Sequence, residues 1–172
     1  MIPRTTPATP AEALSAALTA EYAAIWAYGV IGVRLADAAR TAARAAEAAH
    51  RSRRDALILQ LSAGGGQVPA DQAGYALPYP VTDRASALKL AVEVEERTAA
   101  FWRAALAHTG GVDRNRALAA LTDCAVRATR WRPSPPPWPT GTGPPSPPTR
   151  RWPTGSPRSR TPTGRTPPSC AG

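Results

Sequence analysis

Four ionisable side chains stand where apolar ones are expected. Glu21, Glu47, His50 and Glu95 fall on the apolar stripes of three helical segments. An ionised carboxylate is costly to bury unless it meets a cation, hydrogen-bond donors or a metal. Glu47-Ala48-Ala49-His50 is a Glu-x-x-His unit. Its i, i+3 spacing projects both side chains from one helix face, as the di-metal carboxylate bundles require. Carboxylate and imidazole ligands suit iron or manganese. The expected ligand set is therefore Glu21, Glu47, His50 and Glu95. It is incomplete for two bridged ions. The fourth helical segment carries no second Glu-x-x-His, only Asp123 with Arg127 four residues on, and the other histidine, His108, lies near the end of the third.

A competing assignment needs no metal. Arg51, Arg53 and Arg54 on the second segment, and Arg127 on the fourth, can pair with Glu21 or Glu95 as a polar layer inside a bundle. The sequence favours this layer. Other candidates are weaker. Cys124 has no histidine placed to activate it and reads as a small buried apolar residue. Trp26, Trp102 and Trp131 read as core packing. Gly64-Gly65-Gly66 lacks the Lys-Ser/Thr pair of a phosphate loop.

The elements that must position these residues are helices. Thr9-Pro10-Ala11-Glu12 has the form of a capping box with proline at the first helical position. Leu14, Leu18, Glu21, Ile25, Tyr28, Gly32 and Leu35 then recur at steps of three and four, one helical stripe over about 10–36. A break near 37–41 precedes a second helix, about 41–62, with Ala43, Glu47, His50, Arg54, Leu57 and Leu61 on its stripe. Three glycines stop it. Asp83 caps a third helix, about 84–108, through Leu88, Val92, Glu95, Ala99, Trp102 and Leu106. Asp113 caps a fourth, about 113–132, which Pro133 ends.

Residues 64–83 hold three prolines and no helical period. A loop of that length extends to roughly 60 Å, whereas a 22-residue helix measures about 33 Å. It can therefore cross the whole bundle and set the third helix parallel to the second. One such crossover is the mark of ferritin-like bundles. The fold class expected is all-α, a ferritin-like four-helix bundle over 1–132.

Composition divides the chain at the end of that bundle. Residues 133–172 hold 14 of the 20 prolines and five arginines, with no acid and no Leu, Ile, Val, Phe or Tyr. Such a segment cannot offset the entropy of ordering its backbone, so a disordered tail is expected. Its abrupt onset also fits a shifted reading frame, since proline codons read out of frame give alanine. Translating the DNA in the other two frames tests that reading.

The net charge of +9 separates into +5 for the tail and, from 16 basic and 12 acidic residues, +4 for the bundle. A mildly basic body argues weakly for an Arg-rich polyanion-binding role, and a nucleic-acid partner is not expected. Two cysteines make neither a disulfide framework nor a zinc pattern. The opening residues lack the pattern of an export leader, and the apolar run 23–33 is short for a bilayer span. A reducing cytoplasm and no membrane are expected, with a homodimer as the assembly considered.

Four strings carry a family resemblance: Glu21-Tyr-Ala-Ala-Ile-Trp-Ala-Tyr-Gly29, His50-Arg-Ser-Arg-Arg-Asp55, Tyr75-Ala-Leu-Pro-Tyr-Pro-Val-Thr-Asp83 and Glu95-Glu-Arg-Thr-Ala-Ala-Phe-Trp102. Over about 10–132 they resemble the ferritin-like proteins grouped as domain of unknown function 4439. The resemblance implies the bundle and brings no reaction or catalytic residue with it. The function expected is that of a non-catalytic helical bundle. A metal-binding protein is the alternative.

Overall fold

In a computed structural model, residues 9–133 are described. The expectations for the tail and the reading frame fall on residues outside this range. Helix α1 spans Pro10–Gly32 and opens on the expected capping box. The Thr9 hydroxyl accepts from the Glu12 amide at 3.2 Å, and the Glu12 carboxylate accepts from the Thr9 amide at 2.9 Å.

Helix α2, Asp37–Ala63, begins four residues earlier than its spacing suggested, and α1 ends four residues short. Alanine periodicity runs through this corner unmarked by proline. The break comes from Asp37, whose φ of 47° is left-handed. Buried Leu35 fills the corner, and its carbonyl accepts from Arg40 Nε at 2.7 Å. At the far end of α2, Gly65 takes a φ of 66°. The Gly66 amide donates to the Leu61 carbonyl at 2.9 Å and the Gly65 amide to Ser62 at 3.3 Å. This is the paired closure that satisfies orphan carbonyls at helix ends.

Helix α3, Arg84–Leu106, starts as expected at Asp83, which accepts from the Ser86 amide at 2.8 Å. Helix α4, Gly111–Trp131, does not use the expected cap. Its N-cap is Gly110, and Asp113 lies inside the first turn, where a carboxylate complements the helix dipole.

Shared neighbours define the topology. Leu14 and Leu18 pack in one cluster with Leu57, Leu61, Trp102 and Ala105. Tyr28 and Ile31 pack in another with Ala43, Ala46, Ala87 and Leu90. Helix α1 thus runs antiparallel to both α2 and α3, which are parallel to each other. Segment 64–83 travels the length of the bundle between them. Its Val68 and Tyr75 touch the first cluster, and Leu77, Tyr79 and Val81 the second. Helix α4 returns antiparallel to α3, from Ala117 in the first cluster to Trp131 in the second. The bundle and its long crossover are those anticipated from the loop length.

The inner face of α3 overlaps the expected stripe at Glu95 and Trp102, both wholly buried, and otherwise lies beside it. Ala87, Leu90, Ala91, Thr98 and Ala105 are buried, whereas Leu88, Val92, Ala99 and Leu106 are half-buried. Helix α3 packs on both α1 and α4, so two neighbours rather than one apolar row set its orientation. By length and composition, all of α1 is apolar enough to cross a bilayer, more than the 23–33 run suggested. Within it, 56% of the most apolar 18-residue window is buried in the bundle.

Candidate functional site

Between the two apolar clusters lies a charged layer to which every helix contributes. Glu21 comes from α1, His50 and Arg53 from α2, Glu95 from α3, and Asp123, Cys124 and Arg127 from α4. Glu21, His50 and Glu95 are completely buried. The ring of His50 is held from both sides, Nδ1 at 2.6 Å from Glu21 Oε2 and Nε2 at 3.3 Å from Glu95 Oε1.

The remaining contacts enclose the two carboxylates. Glu21 Oε1 accepts from Trp102 Nε1 at 2.7 Å and from Arg53 Nε at 2.9 Å. Glu95 Oε1 accepts from the Tyr28 hydroxyl at 2.7 Å and from Arg127 at 3.4 Å. Trp131 Nε1 donates to the Tyr28 hydroxyl at 2.9 Å, so the layer is anchored by an indole at each end. Half-exposed Asp123 bridges the two guanidiniums, accepting from Arg53 at 2.6 Å and from Arg127. Among the described residues Glu95 Oε2 is buried with no nitrogen or oxygen donor, and the Cys124 thiol lies beside the same carboxyl.

The electrostatics follow from this enclosure. Burial works against the His50 imidazolium, but the hydrogen bonds and charges of Glu21 and Glu95 outweigh it and raise the pKa above the usual histidine value. Burial likewise opposes ionisation of Glu95, yet His50, Tyr28 and Arg127 hold its carboxyl below the usual range. Burial, then the charge of Glu95, pushes the Tyr28 hydroxyl far up. The same causes push up the Cys124 thiol. Three basic side chains, His50, Arg53 and Arg127, thus stand against three acidic ones, Glu21, Glu95 and Asp123.

The four residues expected as metal ligands do not all meet. Glu21, His50 and Glu95 converge. Glu47 is half-buried and bonds Arg51 at 2.6 Å on the helix surface. The physical reason lies in α2's rotation. Its inner row is Ala43, Ala46, His50, Leu57 and Leu61, and position 47 falls beside that row, where Arg51 one turn on competes for its carboxylate. Among the described residues no group of three or more His, Cys, Asp or Glu side chains is disposed to hold a metal.

The family model described as Domain of unknown function (DUF4439) matches residues 13–142. The chain belongs to this family. A solved structure of a conserved hypothetical protein from Mycobacterium tuberculosis is 42% identical, with a TM-score of 0.67, covering 69% of this chain and 91% of that one. No curated protein matches.

In this DUF4439 chain the arginines that matter are Arg53 and Arg127. The sequence had them only among several candidates to pair with Glu21 or Glu95. Each now has its carboxylate: Arg53 takes Glu21 and Arg127 takes Glu95. The roles of Tyr28, Trp102 and Trp131 as donors to the layer were not read from the sequence. Their one available signal was that buried Tyr and Trp need a polar partner.

Proposed function

We propose that this protein is a ferritin-like bundle with a non-catalytic role, in which the mid-bundle charged layer locks four helices in one register instead of holding a metal. The observation that carries this reading is the occupancy of Glu21. Its two oxygens already serve His50, Arg53 and Trp102. A divalent cation at His50 would have to displace two guanidiniums and then share the space with their charge. The ferritin-like assignment is supported by the crossover between parallel α2 and α3.

Glu95 Oε2 supports a second reading. A buried carboxylate oxygen with no nitrogen or oxygen donor is costly, and one iron or manganese ion on Glu21, His50 and Glu95 would satisfy it. Metal analysis separates the two. The full chain, expressed with iron and manganese supplements, is expected to carry neither at stoichiometry. Stoichiometric metal that is lost in the Glu21→Ala/His50→Ala double variant would establish the second reading and sink the first.

A further inference from the structure

We infer that the cleft roofed by the crossover is a binding site for a small apolar carboxylic acid. This inference does not depend on the role of the charged layer. The cleft encloses about 320 Å³ between α1, the crossover and α3, within the range of roughly 300–1,000 Å³ typical of small-molecule sites. Its floor on α1 is Ala20, Ala23, Ala24 and Ala27. These side chains are too short to fill the gap left by the overlying loop.

The walls are aromatic and aliphatic. Trp26 and Tyr75 form a tilted pair with ring centroids 6.2 Å apart. Phe101 also lines the cleft and is 45% exposed. An apolar guest gains contact area from these rings and loses little to desolvation of the wall.

Arg97 is the one charged residue lining the cleft. Its guanidinium is 66% exposed and bonded to Glu93 at 2.7 Å on the helix surface. An exposed pair of this kind is weak, so the guanidinium is free to exchange Glu93 for a ligand carboxylate. That places the acid at the mouth and the hydrocarbon within.

Three separate stretches of the chain meet here. Ala23, Ala24, Trp26 and Ala27 belong to the first. Tyr75, Ala76, Leu77 and Pro78 belong to the second, and Arg97, Thr98 and Phe101 to the third. None of these cleft residues takes part in the charged layer of Glu21, Tyr28, His50, Arg53, Glu95 and Trp102.

Calorimetric titration of the full chain with decanoate and with decanol tests the assignment. Decanoate is expected to bind at one site, several-fold more tightly than decanol. Ala23→Phe, which fills the cleft, is expected to weaken decanoate at least tenfold. Should Ala23→Phe not fold, Thr19→Phe at the exposed rim is expected to do the same. Arg97→Gln is expected to abolish the preference for decanoate while leaving decanol binding in place. No decanoate binding, or binding unchanged in the filled variants, would overturn the site. A preference for the acid that survives Arg97→Gln would overturn the role of Arg97.

Discussion

Glu21 and His50, 29 residues apart in the chain, meet at 2.6 Å with both side chains wholly buried. The contact ties the midpoint of α1 to the midpoint of α2. On its other side His50 faces Glu95 of α3, so one imidazole joins three helices.

That arrangement gives the bundle a pH optimum. The pKa of His50 is raised on folding by the two carboxylates that overcome its burial. Its contribution is fully present below the unfolded value of about 6.5 and is lost as pH rises through the folded value. Glu95 is shifted down, so its contribution is present above about 4.5 and is lost as pH falls through its folded value. Denaturant midpoints are expected to peak between about 4.5 and 6.5. The alkaline decline is expected to flatten in His50→Gln. A midpoint that rises steadily from pH 6 to pH 9 would contradict the coupling.

Arg53 bonds Glu21 and Asp123 from a side chain only 14% exposed. Removing one partner of a buried pair costs about 3–5 kcal/mol, whereas replacing both with apolar groups is often neutral. Arg53→Met alone is therefore expected to destabilise strongly, and Arg53→Met with Glu21→Leu to cost less than the sum of the two single changes. Urea unfolding of the two single variants and the double variant measures the coupling. Simple additivity would argue against a shared ionic layer.

Trp102 packs in the first apolar cluster while its indole donates to Glu21 at 2.7 Å. Trp102→Phe keeps most of the packing and leaves the carboxylate one donor short. A loss of about 1–3 kcal/mol is expected from the unsatisfied group. A change within a few tenths of a kcal/mol would mean that Arg53 and His50 satisfy Glu21 without it.

Cys124 is fully buried, and its thiol is pushed up by burial and by Glu95. Only the thiolate is nucleophilic. Iodoacetamide is expected to leave Cys124 unlabelled in the native protein at neutral pH and to label it once urea unfolds the bundle. Peptide-level mass spectrometry distinguishes it from Cys170. Rapid native labelling of Cys124 would show that the bundle opens around the charged layer.

At the start of α1, Thr9→Ala removes one half of the reciprocal cap with Glu12. The expected cost is about 1 kcal/mol, read as a lower denaturant midpoint. No change would place that end of the helix outside the cooperative unit.

What the residues alone determined was local and periodic. Thr9 and Glu12 share a cap because both lie within one turn, and Asp83 caps α3 for the same reason. Leu14, Leu18 and Tyr28 repeat at helical spacing, and the length of 64–83 against that of a helix implies the crossover. Glu21, His50 and Glu95 could be placed on the stripes of their helices. Rotation about each helix axis was not available from spacing. The placement of Glu47 on the surface, the inward turn of Arg53 and the inner face of α3 depend on which neighbours each helix meets. Only the tertiary structure decided those, because a carboxylate chooses between Arg51 one turn away and a buried imidazole across the bundle according to where packing points it. The cleft beneath the crossover is of the same kind. Its alanines are visible in the sequence, but the gap above them exists only once Tyr75 and Pro78 are laid across α1.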